Sequence, residues 1–488
     1  MQKQKIIFSL VFKFLERILV KGLGLIISVL LARLLNPKEF GLIAIIMVFI
    51  DLSQTLIQSG LNTALVQSKT TKEEDYSTVF YIGLIISITL IIILYISSPL
   101  IGAFYESKEL VWPLRVYSFS LIFAAINSVQ VAKMQKEMKF RESMFCSLIA
   151  TILSGCIGIG MAYCDMGIWS LVMYYFSNII FSCITMAPIT KWRLQKVFSV
   201  KRAKELFDYG WKMLVSAVLC SLYNNIRSLI IGKQFSTEEL GYYNRGQQFP
   251  DVIANTLDNS IQSVMFPVLS DIQDEKKQTR MMLQKSITMG SFLVMPTMIG
   301  FAAISDSFIR VLLTDKWLPS ALYLQIICIG NMTLSITSSN LVAIKAIGRS
   351  DIYMKLEGVR RCVMLLILCL SIFCFRTVEA IAWGFAISSW IDTIIVMLPA
   401  KRLFAYGGLE QLRDLSKIFL ASFIMGALVL SAGKVETVEI IKLILQIAIG
   451  IISYFIICKI LKVNSLIYIV KNVKQLKTKR DYSKIIRN

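Results

Sequence analysis

The stretch "ARLLNPKEFGLIAI", residues 32–45, decides the fold because the chain writes it again two hundred residues later as "GKQFSTEELGYYNR", residues 232–245. In register, Arg33 faces Lys233, Glu39 faces Glu239, Phe40 faces Leu240 and Gly41 faces Gly241. Each copy is a short polar turn between two long apolar runs. The repeated unit is therefore a helical hairpin, and its arms are long enough to cross a bilayer.

The rest of the chain is built the same way. Of 488 residues, 56% are hydrophobic and 17% charged, and the mean hydropathy is +0.66. Those values exclude a soluble globule of ordinary composition and specify an all-α polytopic membrane protein. Apolar runs able to span ~30 Å of hydrocarbon are expected at 8–35, 42–66, 77–104, 111–132, 143–164, 167–189, 207–232, 241–268, 285–305, 318–344, 354–375, 378–400, 412–432 and 437–461. That makes about fourteen transmembrane helices, with connections too short to hold a soluble domain.

Lys and Arg concentrate in alternate connections, for example Lys133, Lys136, Lys139 and Arg141, then Lys191 to Lys204, then Lys276, Lys277 and Arg280. The positive-inside rule then puts both termini in the cytoplasm. It also accounts for most of the formal net charge of +21. No aromatic-interleaved basic patch points to nucleic acid. The start, "MQKQKIIFSLVFKFLERILVKG", lacks a short apolar core followed by a small-residue cleavage site, so it reads as a retained first helix. Ten cysteines without a CxxC pair, and no histidine, give no zinc, haem or iron–sulfur ligand set, and no cofactor is expected.

Six helices separate the two copies of the turn. An even number of crossings makes the halves parallel, two six-helix lobes related by a pseudo-twofold along the membrane normal. The expected divisions are a lobe over 1–200, a second over 201–402, two extra C-terminal helices over 403–463, and a tail over 464–488. "AFYESKELVWP" (103–113) against "VLLTDKWLPSA" (311–321) is a weaker second echo.

The stretches "LLARLLNPKEFGLIAIIMVFIDL", "SGLNTALVQSK", "QVAKMQKEMKFRE", "LGYYNRGQQFPDVIANTLDNSIQSVMFPVLSDIQ" and "LLTDKWLPSALYLQIICIG" together resemble the Wzx-type polysaccharide flippases of the multidrug/oligosaccharidyl-lipid/polysaccharide exporter superfamily. The branch handling colanic-acid-like and teichuronic-acid-like polymers looks closest. The resemblance spans residues 1 to about 420. It implies a twelve-helix core of two lobes, often with two extra helices, in a bacterial cytoplasmic membrane. The substrate it implies is a bactoprenyl-diphosphate-linked oligosaccharide repeat unit, moved by alternating access coupled to H+ or Na+. A polysaccharide polymerase and a chain-length regulator are the implied pathway partners.

Such a substrate joins a hydrophilic glycan and an anionic diphosphate to a prenyl tail, so its head needs a wet, partly cationic cavity. Charges inside spanning helices cost roughly 2.5 to 3.5 kcal/mol each on insertion scales and face such cavities or one another. Arg17, Lys21, Arg227 and Arg245 are the candidates for attracting the diphosphate or acidic sugars. Arg17 and Lys21 share one helix face. Asp51, Asp251, Asp258 and Asp392 are the candidates for ion coupling. Asp51 lies roughly 15 Å below Gly41, and Asp251 the same below Gly241. The competing reading makes Lys21 with Asp51, and Arg227 with Asp251, interhelical pairs that only neutralise each other.

The span around Pro250 and Pro267 is dense in amides and acids and should line the cavity, and Pro296 should bend the next one. After residue 464, Leu466, Ile469, Val470, Val473 and Leu476 alternate helically with Lys471, Lys474, Lys477, Lys479 and Arg480, as in an amphipathic helix on an anionic leaflet. A drug or ion antiporter of the same superfamily is one alternative. A membrane glycan polymerase or glycosyltransferase is another, disfavoured because the outward loops are too short to build a catalytic pocket.

Overall fold

The computed structural model describes residues 2–58, 62, 65 and 72–468 apart from 193. Every regular element among them is helical, and the chain forms two compact units, 1–244 and 245–488.

The first unit runs α1 (Gln2–Leu34), α2 (Pro37–Gln58), α3 (Glu73–Phe104), α4 (Val111–Ser118), α5 (Ser120–Lys136), α6 (Phe140–Tyr163), α7 (Ile168–Thr190) and α8 (Val200–Gln234). It ends with the opening turns of α9 (Thr237–Asp271). The second continues α9, then α10 (Lys276–Ala303), α11 (Ser305–Leu312), α12 (Ser320–Asn331), α13 (Leu334–Ala346), α14 (Ser350–Leu370), α15 (Val378–Met397), α16 (Ala400–Phe404), α17 (Gly408–Ala432) and α18 (Glu439–Ile460).

Among the described residues twelve segments are long and apolar enough to cross a membrane, so the protein is multi-pass. The expectation of fourteen exceeds this by α1 and α9. Both are long enough, but α1 carries Glu16, Arg17 and Lys21, and α9 carries Glu238, Glu239, Arg245, Asp251 and Asp258. Two expected spans also prove to be broken. The 111–132 span is divided at Phe119 into α4 and α5, and the 318–344 span at Met332–Thr333 into α12 and α13. Beside each break a hydroxyl bonds back to its own helix, Ser118 to the Arg115 carbonyl at 2.7 Å and Thr333 to that of Gly330 at 3.4 Å. Such back-bonding competes with the helical ladder and bends it.

Local backbone geometry repeats between the halves beyond the opening echo. Glu106 (φ 54°) and Thr314 (φ 85°) each precede a 3-10 turn, Lys108–Leu110 and Asp315–Trp317. After α5 the Lys139 N–H donates to the Met134 carbonyl at 2.9 Å, and after α13 the Arg349 N–H donates to that of Ile344 at 3.2 Å. The residues before them, Met138 and Gly348, both have positive φ, 56° and 73°. The second echo is thus one of chain reversal as well as of letters.

Lipid gives helices no hydrophobic reason to associate, so close approach and interhelical hydrogen bonds must hold them. In the first unit α6 packs against α1 and α7 through Gly155, which faces Ile27, and Gly158, which faces Ser170 and Tyr174. In the second, α10, α17 and α18 share a core of Leu283, Ile287, Phe292, Met425, Tyr454 and Cys458. The Tyr454 hydroxyl donates to the Phe292 carbonyl at 2.9 Å there. Helices α9 and α10 continue unbroken through Pro250, Pro267 and Pro296. All ten cysteines are free. Of the basic tail, 464–468 is helical and the remainder lies outside the described residues.

Candidate functional site

The echoed turn is a capping device and a contact surface. In the first copy Pro37 opens α2, where its fixed φ suits the first helical position. Glu39 reaches back to accept the Asn36 N–H at 2.6 Å, half of a capping box. In the second copy the Ser236 hydroxyl accepts the Glu239 N–H at 3.1 Å. The glycines then let the turns interlock within the first unit. A Cβ on Gly41 would stand 1.6 Å from the Thr237 carbonyl oxygen, and one on Gly241 2.1 Å from that of Pro37. Lys38 pairs with Glu109 at 2.8 Å and Lys233 with Glu106 at 3.1 Å, so both copies are tied to the turn between α3 and α4.

Below this turn, Asp51 on α2 is half-buried, and among the described residues its carboxylate has no hydrogen bond or ion pair. It lies within electrostatic reach of the Tyr117 phenol on α4. Tyr117 faces Tyr175 on α7 at 6.4 Å between ring centroids, and Tyr174 and Tyr175 are 4.8 Å apart. Lys21 on α1 is exposed and makes no ion pair with Asp51. The neutralising pair expected as the bland alternative is absent. The side chain of Arg17 lies outside the described residues. Arg227 on α8 is buried, 9% exposed.

In the second unit the acids are engaged. Asp251 accepts from the Asn331 amide at 2.8 Å and from the Gln247 amide at 3.0 Å. Asp258 accepts from the Ser338 hydroxyl at 2.6 Å and from the Gln262 amide at 3.2 Å. Gln262 also donates to Ser339 at 3.0 Å, and Ser339 meets Ser286 at 2.9 Å. Residues 247, 251, 258 and 262 fall on one face of α9. The amides and acids read as cavity lining are therefore largely a polar ladder fastening α9 to α12 and α13. Arg245 is buried, bonded to Gln248, and stacked over the Trp317 ring at 5.5 Å.

Asp392 on α15 leads to residues the sequence reading missed. It accepts from Arg360 on α14 at 3.3 Å, and Arg360 and Arg361 both pair with Glu357 at 2.6 and 3.3 Å. The signal was present, because "EGVRR" puts three charges inside an expected span. The Asp392 Oδ1 and Arg360 Nε are buried without a hydrogen bond among the described residues.

An apolar cavity of about 320 Å³ opens between α10, α17 and α18, lined among others by Phe292, Pro296, Phe301, Met425, Ile447 and Tyr454. That size lies at the lower end of the range for ligand sites, roughly 300–1,000 Å³. Pro296, expected as a bend, forms part of its wall.

Comparison with known proteins bears on this geometry. A family model described as polysaccharide biosynthesis protein matches residues 30–322. The chain is 24% identical to the teichuronic acid biosynthesis protein TuaB of Bacillus subtilis over 82% of its own length and 84% of that protein's. It is 22% identical to the lipopolysaccharide biosynthesis protein WzxC of Escherichia coli over 72% of each. Among solved structures, the lipid II flippase MurJ in an inward closed conformation superposes with a TM-score of 0.76 at 18% identity, covering 93% of this chain and 98% of that one. An inward-facing multidrug resistance MATE family transporter gives 0.61 at 13% identity, covering 80% and 95%. The fold is the one shared by these transporters.

Proposed function

The chain belongs to the polysaccharide biosynthesis protein family, and from that premise we propose that it is a flippase, not an enzyme. It moves bactoprenyl-diphosphate-linked oligosaccharide repeat units across a bacterial cytoplasmic membrane for a surface polysaccharide. In this reading 1–200 and 201–402 are the two moving lobes, 403–463 adds two helices, and both termini are cytoplasmic.

One observation carries the lipid-linked substrate. The cavity walled by α17 and α18 is apolar almost throughout, with Gln446 its main polar group. A prenyl chain is held by such a wall, and a bare ion is not. The diphosphate and glycan require the cations, and of the candidates Lys21, Arg227 and Arg245 it is Lys21 that is exposed, with no ion-pair partner among the described residues.

Coupling to H+ or Na+ rests on Asp51. A gradient acts only through a group whose protonation or occupancy differs between conformations. A carboxylate already holding two amide donors, as Asp251 does, is less free to change than one holding none.

Deleting the gene tests the class. Lipid-linked repeats should accumulate, closed to reagents applied outside, with surface polymer lost. Single unpolymerised repeats at the outer face would make the protein a polymerase. Normal polymer with altered drug tolerance would make it an antiporter.

A further inference from the structure

A second cavity of about 450 Å³ lies at the end of the second unit where α10 and α17 begin and α18 ends. Its wall holds three cations, Lys285, Arg413 and Lys417, and one carboxylate, Asp414. The carboxylate Oδ2 accepts from the Gln284 amide and the Tyr406 hydroxyl, both at 2.7 Å, which fixes its position, and its charge leaves the cations in excess in the wall. Among the described residues the three cations have no ion-pair partner. Arg413 and Lys417 stand one turn apart on the same face of α17, a like-charge spacing that disfavours a helix unless an anion lies between them.

The remaining wall fits a specific kind of anion. Thr288, Asn464 and Ser465 present polar groups, and Met289, Ile418 and Val463 form an apolar base. The Lys285 ammonium sits over the Tyr468 ring at 5.3 Å, which orients it without neutralising it. Counting about 1.5 Å per residue, Arg413 lies roughly 7 Å, and Lys285 and Lys417 roughly 13 Å, inside the starts of their helices. All three therefore lie within the opening turns of helices whose later turns are apolar enough to span a bilayer, and long cationic side chains near such helix ends reach toward the headgroups.

We propose that this cavity binds the phosphate of a membrane lipid, held by Lys285, Arg413 and Lys417 with the first carbons of the lipid on Met289, Ile418 and Val463. The site is separate from the charged residues of the transport reading and stands whether or not that reading does. A bilayer phospholipid and a polyprenyl phosphate carrier present the same chemistry.

The test uses the purified full chain in a neutral detergent and follows its melting temperature. Dihexanoyl phosphatidylglycerol, farnesyl diphosphate, inorganic phosphate and dihexanoyl phosphatidylcholine are titrated separately. A ligand that binds only the folded protein raises stability with its concentration. The expected result is a rise with phosphatidylglycerol, farnesyl diphosphate or both, and none with phosphatidylcholine. The combined variant Lys285→Gln, Arg413→Gln, Lys417→Gln should need at least tenfold more of the active lipid for the same rise. Lys108→Gln, Arg376→Gln, Lys434→Gln, with the same charge change elsewhere, should behave as wild type. Whichever of the two lipids acts names the source. Lys285→Arg with Lys417→Arg should retain the response even if the glutamine variant proves unstable. An unchanged midpoint in the glutamine variant overturns the site. Inorganic phosphate acting at the lipid's own concentration overturns the claim that the phosphate is lipid-borne.

Discussion

Gly41 and Gly241 lie under each other's turns: the first is roofed by the Thr237 carbonyl and the second by that of Pro37, and neither has room for a Cβ. Backbone cannot move aside as a flexible side chain can. Gly41→Ala and Gly241→Ala should each force the interlocked turns apart, at about 1–3 kcal/mol for overpacking. Gly160, with open space where its Cβ would be, supplies the control. Gly160→Ala should be neutral, or stabilising by up to about 1 kcal/mol from helix propensity. Melting temperature of the purified protein, with surface-polymer production in a deletion strain, reads all three. Wild-type behaviour of both turn variants would show that the contact does not hold the native state.

A second prediction separates Asp51 from Asp251, which the repeat register makes equivalent. Asp251→Asn disturbs two hydrogen bonds, so it should cost about 1–3 kcal/mol of stability whatever its role in transport. Asp51→Asn removes no hydrogen bond and should melt within about a degree of wild type. In liposomes it should still bind the lipid-linked substrate but lose the response to an imposed pH or sodium gradient. Full gradient dependence in Asp51→Asn would move coupling to Asp251, Asp258 or Asp392. Because Lys21 makes no pair with Asp51, Lys21→Met with Asp51→Asn should not rescue either single variant; rescue would revive the neutralising pair.

Much of this was legible in the sequence, and the limit has a physical cause. The interlocked turns were visible because a capped reversal and a close backbone approach each demand particular residues, Asn36, Glu39 and Gly41 in one copy, Ser236, Glu239 and Gly241 in the other. The role of the acids was not visible. Asp51 and Asp251 occupy the same register, and only the neighbours brought by other helices, Asn331 above all, distinguish an engaged carboxylate from an open one. The breaks in the fourth and tenth spans were hidden because Ser118 and Thr333 sit in long apolar runs with no proline at either break, and a single Gly330 inside a helical pattern does not by itself mark one. Arg360 was not legible as a site residue because its partner Asp392 lies 32 residues later on another helix, and only packing brings the two together.

That pair gives a third prediction. Arg360 and Asp392 have side chains only 17% and 12% exposed, and breaking a buried pair by removing one partner costs about 3–5 kcal/mol. Arg360→Met strands Asp392 and leaves Glu357 with Arg361 alone, so it should be the more damaging single change. Asp392→Asn leaves Arg360 with Glu357 and should cost less. Arg360→Met with Asp392→Asn should recover part of the loss, and the coupling from a double-mutant cycle of melting measurements should exceed about 0.5 kcal/mol. Strict additivity would mean that the two charges act separately. A double variant that recovers stability but leaves surface polymer absent would place this network in transport as well as in packing.

The last prediction concerns the membrane face of the echoed turns. Lys38 to Glu109 and Lys233 to Glu106 are exposed pairs, each worth at most about 1 kcal/mol, so neutralising any one of the four should barely change stability. Their value is as markers. The pairs bind both copies of the turn to the chain reversal between α3 and α4, so all four residues must lie on one side of the bilayer. Positive-inside counting makes that side the outer one. With the ten native cysteines replaced, single cysteines at Lys38, Glu106, Glu109 and Glu238 should all react with an impermeant thiol reagent added outside intact cells. One at Arg413 should react only after permeabilisation. Paired cysteines replacing Lys38 and Glu109, and separately Lys233 and Glu106, should be joined by a short bifunctional thiol reagent, which spans the gap that the two long side chains bridge in the native pairs. Labelling of all four only from inside would reverse the orientation but keep the parallel repeat. Labelling of Lys38 and Glu238 from opposite sides would break the parallel repeat, and with it the placement of Asp51 and Asp251 at matching depths.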